Sequence, residues 1–172
     1  EIDHVSDGSP STALVLDSRP GRGQREVLAV LASLVGAARK RLWITTPYFA
    51  PPTRALALLR AAARRGVDVR LLVPGERTDV ALVRHAAHGA YHSLLDAGVR
   101  VFEYERATLH AKTLVVDGHA GVVGSTNLDF RSFWLNAECN VLLLDDDAAV
   151  HLERSFSTDC AHSTEITMVQ WM

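Results

Sequence analysis

The chain has 172 residues, of which 48% are hydrophobic and 22% charged. That is the balance of one globular domain with its own core, and it excludes a disordered or fibrous segment. The net charge of −2 excludes a global basic field for nucleic acid or anionic membrane, although a local anion site is compatible with it. Two cysteines, Cys139 and Cys160, are too few for a disulfide framework and form no CxxC pair; both are expected to be buried thiols.

Residues 1–12 read as a linker and 13–172 as one domain. The chain begins at Glu1 without a signal-peptide pattern, so it reads as a piece of a longer polypeptide. Ala13 to Leu16 is a short apolar strand, and Ser18 to Gly23 punctuates the chain as a loop. Val27, Leu28, Leu31, Leu34 and Val35 recur at helical spacing. This apolar run, Val27 to Ala38, is too short to cross a bilayer and closes on Arg39, Lys40 and Arg41, so a soluble chain is expected. Leu42 to Thr46 reads as a buried strand stopped by Pro47, and the proline-rich run to Pro52 can continue neither helix nor central strand.

Thr53 is placed to cap a helix over Arg54 to Arg65, ended by Gly66. Val67 to Val73 is a strand closed by Pro74-Gly75. Asp79 is expected to cap a long helix reaching Ala97, with Gly98 as its stop, before a strand over Val99 to Tyr104. This alternation predicts an α/β fold with a mixed, largely parallel sheet covered by helices. Thr113 to Val116 and Ala120 to Val123 then flank Asp117-Gly118, a hairpin signal. Ser125 to Asn136 reads as a polar and aromatic loop or short helix, and Glu138 to Leu144 as a strand. Asp145-Asp-Asp147 opens a last helix ending near Cys160.

The chemistry concentrates between His110 and Asn127. Residues two apart in a strand share a face, so strand geometry from His110 would point His110 and Lys112 the same way. An ammonium neutralises the non-bridging oxygens of a phosphate, while an imidazole attacks phosphorus or moves a proton. Gly124-Ser125-Thr126-Asn127 follows a strand end, where small residues admit an anion to backbone N–H groups and Ser125 and Asn127 add donors. Glu138 opens the next strand, and a carboxylate near a histidine orients the ring and stabilises its charged form.

These residues spell HxKxxxxD, six further residues, then GSxN, with His110, Lys112, Asp117, Gly124, Ser125 and Asn127 filling every signature position. The segment resembles the HKD signature of the phospholipase D superfamily. Thr46-Pro-Tyr-Phe-Ala-Pro51, Leu95-Asp-Ala-Gly-Val99, Leu109-His-Ala-Lys112 and Asn127-Leu-Asp-Phe-Arg-Ser-Phe-Trp-Leu-Asn136 are similar to the second half of bacterial cardiolipin synthases. The resemblance implies an αβα sandwich and phosphatidyl transfer through a phosphohistidine, with Glu138 supporting His110 and no cofactor. Two HKD halves meet there, and the second supplies the general acid and base. Only one motif is present, so the resemblance implies a second half or a homodimer mate. It also implies a phospholipid substrate and a peripheral place on the cytoplasmic side of a bacterial inner membrane.

Several features have two readings. Asp117 is explained by the hairpin alone as well as by catalysis. His85, His88 and His92 share a helix face at zinc-like spacing, or line a polar surface; no metal is expected, since lysine does the neutralising. Phe130, Phe133 and Trp134 either touch acyl chains or pack the core. Tyr48 and Phe49 border the site if their loop lies at the strand ends. Arg64-Arg65 and the Arg39 to Arg41 cluster close helices, where cations favour the dipole. A single-HKD endonuclease acting as a homodimer and a non-catalytic lipid-binding half stand beside the transferase, although the charge weighs against nucleic acid.

Overall fold

The computed structural model describes residues 12–78 and 81–171. The elements in order are β1 (Thr12–Ser18), α1 (Gln24–Ala37), β2 (Arg41–Thr45), β3 (Phe49–Ala50), α2 (Thr53–Arg64), β4 (Asp68–Pro74), α3 (Ala81–Asp96), β5 (Arg100–Tyr104), β6 (Thr113–Val116), β7 (Ala120–Gly124), β8 (Leu128–Asp129), α4 (Phe130–Trp134), β9 (Glu138–Leu144), α5 (Asp146–Cys160), β10 (Ser163–Ile166) and α6 (Met168–Trp171). The expected linker lies outside the described residues except for Thr12, which opens β1. Asp79, the expected cap of α3, also lies outside them.

Eight strands form one sheet in the order β1-β9-β7-β6-β2-β4-β5-β10. The sheet is mixed, but it is not largely parallel. Parallel pairing joins only β2 to β4 and β4 to β5, the pairs connected through α2 and α3. A helical crossover is what returns a strand in the same direction. The neighbours β6, β7, β9 and β1 pair antiparallel, as does β10 on β5. A two-stranded parallel ladder, β3 with β8, lies outside the main sheet.

Strand alternation assigns the two faces. Leu42 and Ile44 join Val69, Leu71, Val101, Leu114 and Val122 in the larger core, under α1, α2 and α3. Trp43 faces the other way and joins Leu72, Phe102, Leu109 and Phe156 beneath α5. Its ring stacks on Phe156 at 5.2 Å and lies under Arg70 at 4.6 Å. Two helical layers on one sheet are the αβα sandwich that the alternation and the resemblance imply.

Local chemistry sets several boundaries. Asp145 accepts a bond from the Ala148 amide at 2.7 Å and so caps α5. Thr53 is not the cap of α2: Pro52 occupies that position with extended backbone, and no side chain bonds there. Proline already fixes φ near the value wanted at a helix entry. Cys139 is exposed and not buried, because it alternates with the buried Glu138 and Asn140 and takes the opposite face of β9. Burial raises the half-buried Cys160 thiol to about 11.

Candidate active site

All the candidate catalytic groups except Asp117 gather at one end of the sheet. β2 ends there, β6 starts there, β7 ends there and β9 starts there. Their tips surround an open pocket of about 820 Å³ lined by Tyr48, His110, Lys112, Gly124, Ser125, Asn127, Asn136 and Glu138 among others. Strand β6 begins at Thr113, so His110 and Lys112 sit on the extended approach to it. The Gly124 amide bonds the Lys112 carbonyl at 3.2 Å, which carries the ladder one step past the strand. Both side chains reach the pocket, as strand spacing predicts. The His110 ring is exposed, with Tyr48 edge-on to it at 6.3 Å. The Lys112 ammonium donates to the His110 carbonyl at 2.7 Å, tying the pair together.

Gly124 is required by close approach. A Cβ there would lie 2.6 Å from the Cys139 carbonyl oxygen and 2.7 Å from the Asn140 Cα, well inside contact distance. The backbone then turns through Ser125. Its amide donates to the Cys139 carbonyl at 3.0 Å, and its hydroxyl accepts from the Cys139 amide at 2.9 Å. The same hydroxyl donates to Glu138 Oε2, and Asn136 donates to Glu138 Oε1 at 3.2 Å. The buried Glu138 therefore lines the pocket with His110 but spends its bonds on Ser125 and Asn136, and it makes no hydrogen bond to the imidazole.

Asn127 is buried, and its Nδ2 donates to Ser132 at 3.3 Å. Its Oδ1 is buried with no hydrogen-bond partner among the described residues. Ser125 and Asn127 thus already use side-chain donors within the protein. Asn140, which the sequence did not single out, clamps the turn: it donates to the Thr126 hydroxyl at 2.8 Å and accepts from the Thr126 amide at 3.3 Å. Thr46 fastens the other wall, donating to the Tyr48 carbonyl at 3.1 Å and accepting from the Leu128 amide at 3.2 Å. Of the two border residues, Tyr48 lines the pocket, while Phe49 is buried in the core.

Asp117 stands at the other end of β6. It has φ 55 and Gly118 has φ 75, two successive left-handed residues as in a type I′ hairpin. Its carboxylate accepts the backbone amides of Arg39, Lys40 and Arg41 at 2.8, 2.7 and 2.7 Å. Burial pushes its carboxyl up, but the three backbone donors outweigh that and hold it below the usual carboxylate range. This geometry fits a structural clamp between the hairpin and the entry to β2.

The helix histidines do not gather as a ligand set. His88 Nε2 pairs with Glu103 Oε1 at 3.0 Å, and its ring packs on Tyr91 and Trp171. Glu103 also takes Arg84 at 2.8 Å and the Tyr91 hydroxyl at 3.0 Å, so it is a satisfied buried carboxylate. Among the described residues no group of three or more His, Cys, Asp or Glu side chains is arranged for a metal, and no helix is long and apolar enough to cross a membrane.

An αβα sandwich whose strand ends present His110 and Lys112 beside the GSxN turn defines a phospholipase D-like domain. The comparisons narrow this. Residues 31–160 match the family described as "Cardiolipin synthase, PLD-like domain", and the chain belongs to that family. It is 42% identical over 134 residues to cardiolipin synthase 2 of Bacillus anthracis, covering 78% of this chain and 26% of that one. It is 40% identical over 160 residues to cardiolipin synthase A of Proteus mirabilis, covering 93% and 33%. The chain thus spans between a quarter and a third of the length of these curated relatives. Its fold matches Nuc from Salmonella typhimurium, a phospholipase D family member, with a TM-score of 0.77 at 19% identity, covering 92% of this chain and 99% of that one.

Proposed function

We propose that this chain is one half of a cardiolipin synthase-type phosphatidyltransferase that works through a phosphohistidine. The observation that carries the reading is the meeting of His110, Lys112, Asn127 and Glu138 in one open pocket, which offers a single imidazole and a single ammonium among its described lining residues. In the two-half arrangement that the resemblance implies, one imidazole attacks phosphorus and a second handles the proton. A second HKD half, from the rest of a longer protein or from a homodimer mate, would complete the site.

In this reading the partner half's histidine attacks the phosphorus of a first phospholipid. The bond to the leaving alcohol breaks, and His110 protonates that oxygen. A second alcohol, such as the headgroup hydroxyl of phosphatidylglycerol, then gives its proton to His110 and takes the phosphatidyl group. Lys112 neutralises the non-bridging oxygens, with the Asn127 amide and the GSxN turn as further donors. Glu138 stabilises the charged form of His110, while Ser125 and Asn136 fix its carboxylate. No cofactor is required. The lipid substrate places the working protein at a membrane surface, peripheral to the cytoplasmic face of a bacterial inner membrane.

The homodimeric single-HKD endonuclease is the second reading. It draws support from the 99% coverage of the Nuc chain, which shows that one such domain can make up a whole solved chain. The net charge of −2 weighs against it. The test is turnover of phosphatidylglycerol against single-stranded DNA by this chain, alone and with a first-half HKD domain, with oligomeric state recorded. Phosphatidyl transfer that depends on the second half is the expected result. DNA cleavage by a homodimer without lipid turnover would overturn the transferase reading.

A further inference from the structure

A second cavity, of about 450 Å³, lies between α1 and α2 and is not used by the chemistry above. Leu28 and Leu31 of α1 and Leu58 of α2 form its sides, Leu114 and Leu128 its floor, and Trp134 an end wall. The size is that of a pocket for a small amphiphile, and the lining is apolar. Its charged lining residues are Arg25 and Arg54, both exposed at the rim, and no acidic residue lines it among those described.

The groove abuts the catalytic pocket at three separate places along the chain. Lys112 lines the pocket and Leu114 the groove, two residues apart on the same strand approach and so separated by about 7 Å. Asn127 lines the pocket and Leu128 the groove. Leu135 lines the pocket and Trp134 the groove. The two cavities are therefore separated by at most one intervening residue at each of these places.

Short helix α4 ends at the last of these places, and with Leu135 it exposes apolar surface beside Arg131. Phe130, Trp134 and Leu135 are 57%, 40% and 58% exposed, whereas Phe133 is buried. The three aromatics separate: Phe133 is buried and lines the groove, Trp134 lines it while partly exposed, and Phe130 faces solvent. The helix is pinned, because Gln24 Nε2 of α1 donates to the Trp134 carbonyl at 2.8 Å. Exposed aromatics at a fixed rim are what an interface between lipid and water selects.

We infer that this groove receives one acyl chain of the phospholipid whose phosphodiester sits at His110 and Lys112. The inference rests on the phosphatidyl reading and deepens it. One molecule fills both cavities when its anionic diester occupies the polar pocket and its hydrocarbon crosses α4 into the groove, while Arg25 and Arg54 at the groove rim attract the anionic lipid surface from which it enters. A nucleic acid has a diester for the first cavity and nothing for the second.

The test is photolabelling of the full chain in mixed micelles by phosphatidylglycerol with a diazirine at the end of one acyl chain. Mass spectrometry is expected to place the label on α1 and α2 peptides. Ala32→Trp, which fills the groove, lowers that label about tenfold. Arg25→Glu with Arg54→Glu, on exposed positions that cannot unfold the core, lowers it in the same direction. His110→Ala keeps the label while losing the diester turnover that a first-half HKD domain restores to the wild-type chain. Label confined to the outside of α4, or groove label unchanged in the filled and charge-reversed variants, overturns the inference. With a first-half HKD domain present, turnover of phosphatidylglycerol without groove label overturns the groove and leaves the transferase reading standing; groove label without turnover does the reverse.

Discussion

The two ends of strand β6 carry the same signature and have opposite physical character. At the Asp117 end both oxygens of the Asp117 carboxylate are spent. Three backbone amides point at one carboxylate, and Arg41 is paired with Glu153 at 3.1 Å beside Gly118. At the His110 end the ring is exposed, the Asn127 Oδ1 is buried without a partner, and Glu138 makes no bond to the histidine it is expected to support. Groups left unspent at the wall of an open pocket are ones that a ligand or partner can complete. One motif thus contains a clamp and a half-finished site, and His110 and Asp117 belong to different ends of it.

Substitutions at the two ends should therefore separate activity from stability. The largest effect is at the open end. His110→Ala should lower phosphatidyl transfer by about 10²–10⁴-fold while leaving the thermal midpoint unchanged, read by steady-state kinetics and a melting curve on one preparation. Asp117→Ala should do the opposite. It strips the acceptor from three amides and should cost about 2–4 kcal/mol of stability, with kcat preserved in the fraction that remains folded. Urea unfolding measures this, and a stable Asp117→Ala protein lacking activity would return Asp117 to the catalytic set.

Gly124→Ala lies between the two. The added carbon meets backbone atoms of Cys139 and Asn140, so it should cost about 1–3 kcal/mol and also displace the GSxN turn, raising KM. A purely thermal effect with unaltered KM would show that the turn does not touch substrate.

The clamp also predicts a pH signature. Asp117 is held below its ordinary value in the folded chain, so its contribution is present above its unfolded pKa of about 3.9 and is lost as pH falls through the lower folded value. The stability gap between wild type and Asp117→Ala should be full at neutral pH and shrink below about pH 4. A gap that stays constant into acid would mean the carboxylate charge contributes nothing. The smallest expected effect is that of a chelator. On the proposed chemistry Lys112 supplies the positive charge, and His88 is already engaged by Glu103, so chelation should leave turnover unchanged, and strong inhibition would point back to the helix histidines.

Features legible in the sequence were those written in local spacing. Asp117-Gly118 announces a hairpin because both residues must enter φ > 0, which few others do cheaply, and both do so. His110 and Lys112 share the pocket because extended chain repeats every second residue. The helices of the α/β half announce themselves through apolar periodicity. What stayed hidden depends on distant partners. Asn140 and Asn136 are ordinary polar residues until the fold sets them against Thr126 and Glu138. Glu138 and His110 could be linked only by resemblance, and the carboxylate is in fact bonded to Ser125. The Asp117-Gly118 hairpin shows that β6 and β7 run antiparallel, but nothing in the sequence shows that β9 and β1 extend that side antiparallel, since an alternating pattern does not tell a crossover from a reversal. The ladder of β3 with β8 is two residues long, too short to leave any pattern.

The central claim, that His110 is one of two histidines in a composite site, is tested most directly by reconstitution. This chain would be mixed with a first-half HKD domain and phosphatidylglycerol, and cardiolipin formation followed with wild type and with His110→Ala at matched folded concentration. The predicted result is product only when both halves are present, falling by about two decades or more with His110→Ala. Undiminished cardiolipin formation by the His110→Ala chain would contradict it.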